Sequence, residues 1–151
     1  MYYSSTPLTG HRATRPPLMQ PDPELHASDV VSEYQAALAS GDVDAIAAAF
    51  EPGAYVREPA GGRHIHDGHD GLRAFYEQLF SNGGGIPLEH CAVIDDGRVC
   101  ALEYNVVRWG KMELPPQAGL AVYARGQSGK LVAARMYDDI EPPPPMATAS
   151  E

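Results

Sequence analysis

The stretch VVSEYQAALASGD, residues 30–42, carries the first strong structural signal of the chain. Its apolar residues recur three and four positions apart, which places them on one face of a helix. Gly41 stands just past the end of this pattern, where glycine is favoured, and Asp42 is suited to cap a following helix. The stretch therefore predicts a first helix that begins at about Pro23 or Asp29 and ends at Ser40, and a second over 43–50.

A third helix and a series of strands are predicted further along the chain. The helix runs from about Asp70 to Phe80, and the glycines of Asn82-Gly83-Gly84-Gly85 end it. The apolar period then changes from helical spacing to two, which is typical of strands. The predicted strands are 54–58, 86–94, 98–109, 117–125 and 130–140. Residues 61–68 form either a polar loop or a short strand through 64–66.

Helices followed by a run of antiparallel strands predict an α+β fold. We expect three helices packed on one face of a curved, mostly antiparallel sheet, which would leave a cavity at its open end. The 151 residues suit one domain. Segments 1–22 and 142–151 are rich in proline and lack apolar periodicity, so we predict flexible tails on either side of a domain over 23–141.

Charge and composition exclude some partners. The net charge of −9 disfavours nucleic acid, and no apolar run approaches the length of a membrane span. No apolar stretch of signal-peptide length stands near the N-terminus, which favours the cytoplasm. The two cysteines, Cys91 and Cys100, flank a predicted hairpin turn and show no zinc spacing. We expect them to be reduced, buried thiols.

Glu58 is the first candidate for chemistry. Strand alternation places it on the apolar face of Ala54 and Val56, directly before Pro59. A carboxylate in that position is partly desolvated, so we expect its pKa to rise towards the range of a general acid or base. The alternative is an ordinary solvated carboxylate at a strand end.

Two later strands also carry polar residues among apolar ones. On the strand over 98–109, we assign the face of Glu103, Asn105 and Trp109 to the pocket. The opposite face is then an outer apolar row, and the row consists of Cys100, Leu102, Tyr104 and Val106. On the last strand, Asp138 shares a face with Ala134 and Met136. The alternative for all three polar residues is exposure to solvent.

A group of histidines precedes the third helix. His64, His66 and His69 stand close to Asp67 and Asp70. They could line the pocket, lie in a plain polar loop or, least favoured by the spacing, bind a metal ion. His69 and Asp70 can also cap the helix. We predict no metal site.

The helix of residues 30–42, its continuation to Phe50, and the segment AYVREP over 54–59 resemble ketosteroid isomerase and its SnoaL-like relatives. The third helix and the terminal hairpin also fit. The resemblance covers about 25–141 and places the chain in the nuclear-transport-factor-two-like superfamily. It implies a cone-shaped barrel, in which the curved sheet wraps around the three helices and leaves a pocket at the open end. It also implies pairing of two copies through the outer face of the sheet.

The resemblance also implies roles for individual residues. Tyr34 matches the tyrosine that stabilises an oxyanion in the isomerase, and Glu58 matches its catalytic aspartate. The third acid of the isomerase has no counterpart on the strand over 117–125. Gln117 or Asn105 could donate a hydrogen bond instead, and Asp138 could supply an acid.

These residues predict an enzyme that binds a small, largely apolar molecule with a carbonyl group. Glu58, Tyr34 and Asp138 would carry out acid–base chemistry of the isomerase, cyclase or dehydratase type, and no cofactor is expected. The pocket-shaping residues would be His64, His66, Glu103, Asn105, Trp109, Gln117, Tyr123 and Met136. The alternatives are a non-catalytic small-molecule binder and a dimerising structural module.

Overall fold

The computed structural model describes residues 29–59 and 65–138. The predicted tails 1–22 and 142–151 and His64 lie outside the described residues. The elements in chain order are α1 (Asp29–Ser40), α2 (Val43–Ala48), β1 (Phe50–Arg57), β2 (Ile65–Asp67), α3 (Gly68–Leu79), β3 (Leu88–Asp95), β4 (Val99–Trp109), β5 (Met112–Arg125) and β6 (Leu131–Asp138).

The strands form one sheet in the order β2-β1-β6-β5-β4-β3. Neighbouring strands are antiparallel except β1 and β6, which are parallel. The predicted α+β fold, with helices packed on a curved, mostly antiparallel sheet, is confirmed. Among the described strands the sheet is open, with β2 and β3 as its edges.

Helix α1 buries the face that its sequence pattern predicts, with Val31, Tyr34 and Leu38 in the core. The loop before β3 packs tightly against the end of this helix, and Ile86 donates its backbone N–H to the carbonyl of Leu38 at 2.8 Å. Gly85 permits this approach, because a Cβ atom there would collide with the backbone of α1.

Several boundaries of helices and strands differ from those predicted. Helix α2 ends at Ala48, and β1 begins at Phe50, because the chain there joins β6: Leu131 donates to the Ala49 carbonyl at 2.9 Å. Strand β5 begins at Met112 and includes two prolines. Both prolines lie between Glu113 and Gln117, where the register with β4 is irregular, so they replace no residue of the described β4–β5 pairs.

The start of α3 also differs from the prediction. The helix begins at Gly68, and Asp67 occupies the capping position without a side-chain hydrogen bond. His69 and Asp70 therefore lie in the first turn and do not cap the helix. Nε2 of His69 lies 3.2 Å from the carbonyl oxygen of Phe50.

The assignment of faces on β4 is wrong. Cys100, Leu102, Tyr104 and Val106 are all buried in the core, so the row expected on the outside faces the helices. An irregularity in pairing with β5 between Val106 and Arg108 shifts the alternation and brings Trp109 to the same inner side. Trp109 was grouped with Glu103 and Asn105 because strict alternation ignores such a bulge.

A buried arginine ties three elements together. Arg125, at the end of β5, donates two hydrogen bonds to Asp95 at 2.8 and 2.9 Å and one to Asp29 at 3.0 Å. Hydrogen bonding to Asp95 holds the pKa of the Arg125 guanidinium above its ordinary value. The charge is thus paired within the structure at the start of α1.

Cys91 and Cys100 are both buried and form no disulfide bond with each other. Burial raises the pKa of Cys100 to about 11, so its thiol is neutral and packs as an apolar group. Within the described part of the chain, no helix is long and apolar enough to cross a membrane.

Candidate functional site

A cavity of about 300 Å³ lies between the helices and the inner face of the sheet. Its apolar wall includes Leu38, Phe75, Leu79, Ile86, Leu88 and Val106. Polar groups enter this wall from α1, α3, the end of β1, and three strands of the sheet. Ligand sites commonly combine an apolar wall with a few placed polar groups in this way.

Two buried tyrosines meet in the cavity. The hydroxyl oxygens of Tyr34 on α1 and Tyr76 on α3 lie 2.6 Å apart. Burial raises the pKa of Tyr34 to about 12 and that of Tyr76 well above its usual value. Both phenols are therefore neutral, and since one proton serves their mutual hydrogen bond, the second can be donated to a ligand.

A third phenol lies beside this pair. Tyr123 on β5 lines the cavity, and its ring centre is 5.2 Å from that of Tyr34. Its hydroxyl accepts a hydrogen bond of 2.6 Å from Nε2 of Gln35, and burial raises its pKa. Tyr34 and Tyr123 lie in the cavity as predicted. Tyr76 was not predicted there, although it belongs to the apolar face of α3 that also contains Leu72 and Phe75.

Glu58 lines the cavity together with Pro59, as its strand face predicts. Nε2 of His66 donates to Oε2 of Glu58 at 2.9 Å, and the two side chains are 29% and 33% exposed. The His66 ring stacks on Phe75 with ring centres 4.3 Å apart. His66 is not among the residues that line the cavity, so it contacts Glu58 from outside the cavity and holds its carboxylate in place.

A second carboxylate enters the cavity from β6. Tyr104 donates its hydroxyl to Oδ2 of Asp138 at 3.0 Å. Gly119 stands between them in the ladder, in register with both, and a Cβ atom there would collide with the Tyr104 ring. Burial and the neighbouring Asp138 raise the pKa of Tyr104, so its phenol is protonated. Gly119 inside a strand was the sequence signal for this contact.

The other predicted pocket residues divide into two groups. Trp109 and Met136 line the cavity, and the Trp109 indole donates to the carbonyl of Leu79 at 2.8 Å. Glu103, Asn105 and Gln117 do not line it. Glu103 and Asn105 lie on the side of β4 opposite to Tyr104, because the pocket face of this strand is the reverse of the one expected.

Metal binding has no structural support in residues 29–59 and 65–138, where no group of three or more histidine, cysteine, aspartate or glutamate side chains could hold an ion.

The site consists of two carboxylates with separate partners, Glu58 with His66 and Asp138 with Tyr104, and a cluster of neutral phenols. Such a site can hold a ligand oxygen and move a proton.

Sequence comparison identifies a family. Residues 31–134 match the model of the SnoaL-like domain, which covers more than half of the chain. No curated protein sequence matches this chain.

Solved structures with the same fold are numerous and distant in sequence. A candidate polyketide cyclase from Sinorhizobium meliloti shares 18% identity with a TM-score of 0.61, over 73% of this chain and 94% of that one. A SnoaL-like protein of unknown function from Burkholderia thailandensis shares 18% identity with a TM-score of 0.59, over 73% and 92%. The epoxide hydrolase/cyclase-like enzyme SalBIII, which has a role in pyran ring formation in salinomycin, shares 20% with a TM-score of 0.61, over 74% and 88%.

Proposed function

The chain belongs to the SnoaL-like domain family, and from this premise we propose that it is a cofactor-free enzyme acting on a small, largely apolar carbonyl compound. It would move a proton on the carbon atom next to the carbonyl group. The observation that carries the proposal is that Glu58, supported by His66, and the Tyr34–Tyr76 pair line one apolar cavity.

Glu58 acts as the base in this proposal. Its carboxylate reaches the cavity, while the hydrogen bond from His66 fixes one of its oxygens. The stacking of His66 on Phe75 limits the movement of the imidazole ring. A base that is already oriented needs little rearrangement when it takes a proton from carbon.

The Tyr34–Tyr76 pair stabilises the enolate oxygen that forms as the proton leaves. Neutral phenols are suited to this task, because they donate a hydrogen bond in an apolar site without adding a charge to it. The raised pKa of both groups keeps them protonated at neutral pH. We expect the Tyr34 oxygen and the Glu58 carboxyl group to lie within roughly 4–8 Å of each other, so that one small ligand reaches both.

Isomerases, cyclases and dehydratases that act through an enolate share this first step. Cyclase-like enzymes share the fold of this chain, and this shared fold supports the same class of chemistry. The proposal is therefore made for the proton transfer, and the later bond changes depend on the substrate.

Proton exchange on a simple ketone tests the proposal. The methyl hydrogens of para-methylacetophenone next to the carbonyl should exchange with deuterium oxide faster in the presence of the protein, as followed by NMR. Glu58→Gln should abolish the acceleration, whereas Glu113→Gln, an exposed residue outside the cavity, should retain it. Binding of the ketone without faster exchange would indicate a non-catalytic binder and contradict the enzyme.

We also propose that two copies pair through the outer face of the sheet. That face carries the exposed side chains of Ile94, Val99, Leu120 and Tyr137, and the described helices cover only the opposite face. The apolar row first expected to form this contact lies in the core, so the proposal now depends on these four residues.

A further inference from the structure

We infer that Asp138 and Tyr104 form a hydroxyl-binding subsite, and that the ligand of the cavity is a neutral hydroxy ketone whose hydroxyl group lies apart from its carbonyl. The inference rests on the proposed function, because it concerns the same cavity and names the class of molecule that fills it.

The subsite is built by three adjacent strands. Tyr104, which is 4% exposed, reaches from β4 across Gly119 on β5 to Asp138 on β6. Because Tyr104 donates to Oδ2, Asp138 acts as an acceptor in this contact, and the inference assigns it to ligand binding in place of the acid role that the sequence suggested. A carboxylate accepts about four hydrogen bonds, so the bond from Tyr104 orients the group without exhausting its capacity to bind a ligand hydroxyl.

The cavity is polarised from one end to the other. The phenols of Tyr34, Tyr76 and Tyr123 are buried, whereas Glu58 and Asp138 are half-buried and closer to solvent. Phenols with a proton to donate attract a carbonyl oxygen, and carboxylates attract a hydroxyl group. A ligand that satisfies both ends accepts a hydrogen bond at the buried end and donates one at the other.

The same charges select against anions. Of the described residues that line the cavity, the acidic ones are Glu58 and Asp138, and none is a lysine, arginine or histidine. A ligand with its own carboxylate or phosphate would meet like charges in an apolar site, where repulsion is strong. The net charge of −9 adds to this effect at long range.

The volume limits the size of the ligand. The cavity volume of about 300 Å³ equals the volume of roughly ten water molecules in the liquid. A ligand of about ten to fifteen non-hydrogen atoms fits this space. Phe75 and Trp109 provide aromatic wall surface for a ring. Hydroxy ketones with one ring fit these limits.

Three matched ketones test the inference by calorimetric titration of the full chain: para-methylacetophenone, para-(hydroxymethyl)acetophenone and para-acetylbenzoate. They share the ring and the carbonyl group and differ only in the group at the far end. We expect the hydroxymethyl compound to bind about tenfold more tightly than the methyl compound, because a hydrogen bond to a charged acceptor is a strong one. The carboxylate should bind at least about tenfold more weakly than the methyl compound.

Variants identify the group responsible. Asp138→Asn should remove most of the preference for the hydroxymethyl compound and should improve binding of the carboxylate. Tyr104→Phe keeps the ring over Gly119 and should reduce the preference in part, since Asp138 loses its orienting bond. Glu113→Gln makes the same change in charge at an exposed position and should alter neither quantity.

Each outcome bears on a different statement. If the methyl ketone binds but the hydroxyl group adds nothing, or if Asp138→Asn keeps the preference, the subsite is wrong and the proposed function stands. If Glu58→Gln removes the preference instead, the hydroxyl group binds to Glu58 and the assignment to Asp138 is overturned. If none of the three ketones binds to the wild-type protein, the proposed function fails together with the inference.

Discussion

At the scale of single residues, Tyr34 and Tyr76 form a pair of neutral phenols joined by one hydrogen bond. Tyr34 on α1 and Tyr76 on α3 are 42 positions apart in the sequence, and their hydroxyl oxygens lie 2.6 Å from each other. The sequence pattern predicted the inward direction of Tyr34, because helical spacing determines the face of a residue. It could not predict the partner, since that depends on how α3 packs against α1.

Tyr34→Phe tests the role of this donor. We expect the rate of ketone proton exchange to fall by about 10²–10³, the usual effect of losing one oxyanion donor, with little change in ketone affinity. Tyr55→Phe, on the outer side of β1 where the hydroxyl accepts from Arg135, should leave the rate unchanged. An equal loss of rate and of affinity in Tyr34→Phe would indicate a binding role only.

Tyr34→Phe should also lower stability. It leaves the hydroxyl of Tyr76 buried without its partner, and an unsatisfied buried polar group destabilises a protein by about 1–3 kcal/mol. The double variant Tyr34→Phe/Tyr76→Phe removes both hydroxyls and should recover part of this loss. Urea unfolding of the two variants measures the difference, and additive losses would contradict the coupling.

At the scale of secondary-structure elements, the sequence predicted the helices and most strands, because apolar periodicity is a local property. It predicted the inner face of β1 with Glu58 correctly. It inverted the faces of β4, because strict alternation groups Trp109 with Glu103 and Asn105. The bulge near Arg108, which brings Trp109 to the inner side, depends on pairing with β5 and leaves no mark in the periodicity. Tyr104 was therefore placed outside, and the Asp138 partner was missed.

Gly119→Ala tests the contact that joins β4, β5 and β6. The added methyl group would collide with the ring of Tyr104, and overpacking of this kind destabilises a protein by about 1–3 kcal/mol. The displaced ring should also lose its bond to Asp138, so the preference for the hydroxymethyl ketone should fall.

Gly53→Ala is the matched control, because a Cβ atom at Gly53 in β1 has nothing within 4 Å. Urea unfolding of both variants, together with the ketone titrations, provides the measurements. Equal stability of the two variants would mean that Tyr104 moves aside without resistance, and the bond across Gly119 would then have little structural importance.

At the scale of the whole molecule, the outer sheet face has a distribution of charge that suits pairing with itself. Strand β5 runs through its middle, with Leu120 in register with both Glu103 on β4 and Tyr137 on β6. Val122 is likewise in register with Arg135 on β6. An acidic residue thus lies on one side of β5 and a basic residue on the other.

Two copies could face each other through this side of the sheet, related by a two-fold axis that lies midway between the sheets and parallel to β5. Strand β6 of each copy would then lie over β4 of the other. Arg135 of one copy would then approach Glu103 of the other, and the contact would occur twice. The exposed side chains of Ile94 and Leu120 would be covered in the same interface. Opposite charges at related positions favour this arrangement over one in which β6 of one copy lies over β6 of the other, because the latter brings two Arg135 side chains towards each other.

Charge reversal tests this arrangement. We expect the wild-type protein to be a dimer at micromolar concentration in light scattering, and Glu103→Arg or Arg135→Glu alone to weaken the dimer by about 10- to 100-fold, because each places like charges together. The double variant Glu103→Arg/Arg135→Glu restores opposite charges and should recover most of the affinity. Recovery separates the proposed pair from a general effect of net charge, because the double variant has the net charge of the wild type. A wild-type monomer at micromolar concentration, or a double variant weaker than both single ones, would contradict pairing through this face, while the cavity and its chemistry would remain to be judged by the ketone experiments alone.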